Sequence, residues 1–189
     1  MQGVLEWHQV FAPLGSGLEP PSQIKSPAVR SLFAYWHRIR AGRIAPSWSE
    51  IEPGEIKSLL PYLIVAEILD SPFDIRYRLI GMAVVEAFGF DFMGKTLSSL
   101  ERDSGAPSWF PVYRQFLARR GPCFGQYKIP LGVSQFELVD AATFPLSDDG
   151  NTINRFIELV DWPFLSGFGP AAWHRTPQNF TVIQSENLL

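Results

Sequence analysis

Residues 62–81 read YLIVAEILDSPFDIRYRLIG, and their pattern decides the fold class. From Tyr62 to Leu69 the run is almost wholly apolar, and Asp70-Ser71-Pro72-Phe73 then carries turn chemistry: proline presets φ, and Asp and Ser side chains bond their own backbone. Ile75, Tyr77 and Leu79 alternate with Arg76 and Arg78 until Gly81 ends the segment. Side chains repeat every two residues along a strand, so the stretch predicts a β-hairpin.

Upstream the period is helical. Ser26 is placed to cap a helix with Pro27 at its first position, and Val29, Leu32, Phe33, Trp36 and Ile39 follow on one face until Gly42. The other face, with Arg30, His37 and Arg38, reads as solvated. Ile51-Glu52-Pro53-Gly54-Glu55-Ile56 predicts a short second helix ending before Pro61. Downstream, Val84, Val85 and Phe88 predict a short helix before Gly89, and residues 89–106 read as loop. A longer helix from about Pro107 carries Trp109, Val112, Tyr113, Phe116 and Leu117 on one face and stops at Gly121-Pro122. Three strands follow: one with Cys123, Tyr127, Ile129 and Leu131, one with Phe136, Leu138, Ala142 and Phe144, and one over Thr152 to Trp162. Ser147-Asp148-Asp149-Gly150 joins the last two. Short links between strands favour an antiparallel sheet with its helices on one face, an α+β domain.

The chain has 189 residues, room for one core. Prolines and glycines cluster at both ends, so residues 1–27 read as an irregular extension, 28–162 as the domain and 163–189 as a second extension. A formal charge of -3 offers no footprint for a phosphate backbone, which argues against a nucleic-acid partner. One cysteine excludes an intrachain disulfide and multi-cysteine zinc sites and fits the cytoplasm. No run approaches the roughly 18 apolar residues of a membrane span.

Several strings, taken in order, resemble a PAS domain, specifically the compact single-domain bacterial group of the PAS_5 type. They are Tyr35-Trp36, Pro46 with Ile51-Glu52-Pro53, Leu59-Leu60-Pro61, Tyr77-Arg78-Leu79 with Gly81, Gly89, Asp91 and Gly94, and Phe144-Pro145-Leu146-Ser147-Asp148-Asp149-Gly150. The resemblance implies five antiparallel strands in the spatial order 2-1-5-4-3 and a sensory or protein-interaction role in signal transduction, as a homodimer or with a separate partner. Trp48 and Glu52 depart from an arginine and an aspartate usual in the group, and Met82 from a threonine or serine.

Catalytic chemistry needs a nucleophile with a base, paired carboxylates or metal ligands at workable spacing, and none is visible. His8, His37 and His174 lie in separate segments, so no metal site is expected. The resemblance disfavours haem, because His37 lies on the charged face of the first helix, and flavin photochemistry, because Cys123 opens a strand. A small apolar ligand would sit in a cavity lined by Tyr77, Leu79, Phe116, Tyr127, Ile129, Phe136 and Leu138, against the alternative of a solid core. Asp140 shares parity with Phe136, Leu138 and Phe144, which points a carboxylate inward with Arg78 as its candidate partner. The competing reading is a small enzyme on a cone-like α+β scaffold of the nuclear transport factor 2 kind, with Asp140 as base.

Overall fold

The computed structural model describes residues 5–10, 20–104, 108–130, 136–161 and 180–181, with side chains at 20–86, 88–103, 108–126 and 139–161. In chain order the elements are β1 (Leu5–Val10), α1 (Pro27–Arg40), β2 (Leu63–Asp70), β3 (Phe73–Ile80), α2 (Met82–Phe88), α3 (Leu97–Ser104), α4 (Phe110–Arg119), β4 (Cys123–Pro130), β5 (Phe136–Leu146), β6 (Arg155–Val160) and β7 (Phe180–Thr181). They form one sheet in the order β3-β2-β6-β5-β4-β1-β7. Counted from β2, its first five strands are antiparallel neighbours in the order 2-1-5-4-3.

The start signal of α1 acts as expected. The Ser26 hydroxyl accepts the Val29 amide at 3.0 Å, satisfying one of the orphan donors of the first turn. Ala41 and Gly42 both take positive φ and end α1. The hairpin turn carries a cis Ser71–Pro72 bond.

Three segments differ from their sequence reading. Residues 53–59 form successive tight turns instead of a helix, bonded Glu55 to Glu52, Leu59 to Ile56 and Tyr62 to Leu59. The seven residues between Pro53 and Pro61 are too few for a helix to sustain itself, although Ile51 and Ile56 are both buried. Residues 97–104, read as loop, are α3: Thr96 and Ser99 hydroxyls cap each other's amides, and the Asp74 carboxylate accepts both the amide and the hydroxyl of Ser98. The stretch read as an irregular extension contains β1, which pairs antiparallel with β4 and parallel with β7, and the core reaches back to the fully buried Ile24. Most of residues 163–189 lie outside the described residues.

Two cores flank the sheet. On one face α2, α3 and α4 bury Ile64, Ile75, Tyr77, Phe92, Tyr113, Phe116 and Phe156. On the other, α1 and the turns after it bury Leu32, Trp36, Ile56, Phe124, Phe144 and Leu159. Helices on one face are thus α2–α4, and α1 covers the face that a bare sheet would have offered for dimer contact. Among the described residues no helix is long and apolar enough to cross a membrane.

Candidate functional site

The face under α2–α4 holds a buried carboxylate. Along β6, Phe156 and Val160 pack into this core while Ile157 and Leu159 pack into the other, and Glu158 falls with the first pair, 7% exposed. Tyr113 and Phe116, one helical turn apart on α4, meet Phe156 at ring distances of 5.1 Å and 5.6 Å. The Tyr113 hydroxyl donates to the Glu158 carboxylate at 3.3 Å. The Tyr113 hydroxyl also lies beside that of Tyr77. Burial pushes the Tyr77 phenol well above its ordinary range, and the charges of Glu158, Glu101 and Asp74 push the same way against the bond from Tyr113. Tyr77 therefore stays protonated, and Tyr77, Tyr113 and Glu158 form a polar cluster among aromatic and aliphatic side chains.

The sheet divides the residues that the sequence groups together. Tyr77 and Phe116 face this interior. Leu79 does not: Ala66 pairs with Tyr77 and Val65 with Leu79, so Arg78 is an extra residue, and the bulge turns Leu79 toward the α1 core. The side chains of Tyr127, Ile129, Phe136 and Leu138 lie outside those described; their backbones pair β4 with β5, Tyr127 opposite Val139 and Pro130 opposite Phe136. Glu158 carried a signal, a lone carboxylate inside the apolar run of β6, but its register was unknown.

Asp140 is buried, as parity requires, on the α1 side. Its carboxylate accepts the amides of Lys25 and Ser26, the latter at 2.6 Å, and the side-chain amide of its cross-strand partner Gln126 at 2.8 Å. The expected partner Arg78 lies instead on the edge strand, 4.0 Å from Glu67. Three donors thus hold Asp140 as an anchor for the start of α1, a poor arrangement for a base. Beside it, the Asp161 amide donates to the Asp140 carbonyl at 2.9 Å. Burial first, then the Asp140 charge, raises the Asp161 carboxyl above its ordinary range, and a bond from Ser26 opposes them. A raised carboxyl contributes stability below the unfolded value and loses it as pH rises through the folded one. Asp161→Asn, which keeps an oxygen for Ser26, should therefore stabilise the protein at pH 7 and not at pH 3. Melting midpoints across that range check it, and a gain that does not grow with pH would contradict the assignment.

His37 lies exposed on α1, its ring stacked on Phe33, and Cys123 is buried at the start of β4. Among the described residues no three His, Cys, Asp or Glu side chains are grouped to hold a metal ion.

A model of the PAS domain family matches residues 24–136, more than half of the chain. The chain belongs to the PAS domain family. No curated protein and no solved structure matches it. PAS domains are generally non-enzymatic sensory or interaction modules, and they commonly mediate protein contacts. The matched stretch begins at the buried Ile24 and ends as β5 begins, so Asp140 and Glu158 both lie beyond it.

The strings that mark the PAS domain are partners in space. The Trp36 indole donates to the Pro145 carbonyl at 2.7 Å, and the Tyr35 hydroxyl accepts the Glu52 amide at 2.7 Å. The Ser147 amide donates to the Pro46 carbonyl at 2.9 Å, and Asp148 accepts from the Ser47 hydroxyl and the Trp48 amide. Asp149 caps its own turn through the amides of Asn151 and Thr152. The departures at Trp48 and Glu52 are absorbed because backbone amides make these bonds. Gly81 starts α2 without a side-chain cap, and Met82 stands in solvent.

Proposed function

We propose that this PAS domain is a sensory module of signal transduction that holds a small, largely apolar molecule against the Tyr77–Tyr113–Glu158 cluster and acts through a separate protein partner. The observation that carries the reading is the carboxylate placed among aromatic rings on the α2–α4 face, where a polar group costs stability unless it is bonded. An apolar body packs against Phe116 and Phe156, and one hydrogen-bond donor on the ligand finds Glu158. Haem and flavin are not the ligands proposed: His37 lies on α1, across the sheet from this interior, and Cys123 opens a strand. The lone, buried Cys123 fits a reducing, cytoplasmic setting.

Native mass spectrometry of the full chain, purified without added ligand, tests the reading. A retained molecule of a few hundred daltons is expected. Glu158→Gln, which keeps the shape and removes the charge, should weaken retention about tenfold or more, since a hydrogen bond to a charged group contributes roughly 1.5–3 kcal/mol. A bare polypeptide mass from cytoplasm-grown protein, with Glu158→Gln indistinguishable from the parent, would show the interior to be solid core.

A further inference from the structure

Of the five large apolar side chains exposed among the described residues, four lie between residues 82 and 93: Met82 at 74%, Phe88 at 42%, Phe90 at 47% and Met93 at 59%. The segment that presents them is built to hold its shape. Gly89 ends α2 with a positive φ, the Asp91 carboxylate accepts the Met93 amide at 2.9 Å, and the Gly94 amide, also at positive φ, donates to the Tyr77 carbonyl at 2.7 Å. Val84 and Phe92 turn inward. The outward rings are gathered on Phe92, with Phe88 and Phe90 at 5.3 Å and 5.7 Å from it, and Phe92 in turn meets the Tyr77 ring at 4.9 Å. From Met82 to Gly94 the only charges are the exposed Glu86 and Asp91; of the cations nearby, Lys95 is paired with Asp103 at 3.8 Å, and Arg76 and Arg78 on the adjoining β3 with Glu67 at 3.6 Å and 4.0 Å.

We propose that Phe90 and Met93, flanked by Met82 and Phe88, form the docking surface for an amphipathic, basic segment of a partner protein, its apolar side chains on the rings and its Lys or Arg residues beside Glu86 and Asp91. Methionine and aromatic side chains adapt to and anchor such faces, and the acidic rim selects the charge of the occupant. A second copy is the poorer occupant, because a two-fold contact would set the acidic rims of both copies together. An anionic membrane is poorer for the same reason. The proposal rests on the reading that the domain acts through a separate protein; it places that contact one ring from the sensory interior.

The test uses the full chain and three fluorescent 18-residue peptides in anisotropy titrations: an amphipathic Leu/Lys helix, its Leu/Glu counterpart, and a Leu/Lys scramble without an apolar face. The amphipathic basic peptide should bind at least tenfold tighter than either control, and Phe90→Glu/Met93→Glu should weaken it at least tenfold with an unchanged melting midpoint. Met93→Glu alone replaces the double variant if that variant melts early. Controls within threefold of the basic peptide, or binding that survives the folded variants, would overturn the proposal. So would a concentration-dependent dimer that the variants abolish, or binding of the parent to phosphatidylglycerol vesicles that the variants abolish. Retention of the small molecule in native mass spectra should be the same in these variants. Its absence from parent and variants alike, with peptide binding intact, would remove the sensory reading and leave the docking surface.

Discussion

Gly81→Ala should destabilise the domain by about 3 kcal/mol or more, lowering the melting midpoint by roughly 6–12 °C. A Cβ built at this position would lie 2.2 Å from the Pro61 carbonyl oxygen, 2.4 Å from its carbon and 2.5 Å from the Leu60 oxygen. All three are backbone atoms, so no rotamer change relieves them. The glycine's φ of -67° is open to any residue, which makes the cost wholly steric. Nor can Gly81 retreat: its amide donates to the Leu63 carbonyl at 2.8 Å while its carbonyl accepts the Val85 amide at 3.0 Å. Gly54→Ala is the control, since a Cβ there meets nothing within 4 Å, and it should change stability by less than about 0.5 kcal/mol. Urea unfolding followed by far-ultraviolet circular dichroism compares them; equal midpoints for the two variants would refute the close approach of β3 to Pro61.

Trp36→Ala should cost about 3–5 kcal/mol, the range for deleting a large buried aromatic. The ring is 1% exposed and lies 5.9 Å from Phe144, so its loss leaves a cavity between α1 and β5. Trp36→Phe separates packing from hydrogen bonding. It keeps an aromatic ring but leaves the Pro145 carbonyl without its indole donor, which contributes about 1–3 kcal/mol when the acceptor is buried. The phenylalanine variant should therefore fall between parent and alanine in denaturant midpoint. If the two substitutions cost the same, packing is not what Trp36 contributes.

Both residues belong to strings by which the sequence resembles a PAS domain, and both act in the fold rather than in a site. This explains why the family was legible while its chemistry was not. Markers of this kind are turns, close approaches and buried hydrogen bonds, which constrain residue type strongly at single positions. The buried polar groups, Glu158 and Asp140, are constrained by neighbours on other elements, and those neighbours have no fixed separation in sequence.

Local physics accounts for what the sequence determined by itself. The hairpin at residues 62–81, the capped α1, the amphipathic α4 and the alternating β4 to β6 each carry their signal within a dozen residues. In α3 and β1, where the local signal was weak, bonds supplied by distant elements decided the conformation, while at residues 53–59 the flanking prolines cut the helix short. Tertiary structure alone decided which side of the sheet each residue serves. One extra residue, Arg78, reverses the parity of Leu79, and Asp140 finds its partners in the backbone amides of Lys25 and Ser26, more than a hundred positions away. A backbone amide is the same group at every residue but proline, so no residue type in the sequence announces it. Glu158 shows the converse: its identity was plain in the sequence, but only the register of β6 between β2 and β5 turned it toward Tyr113.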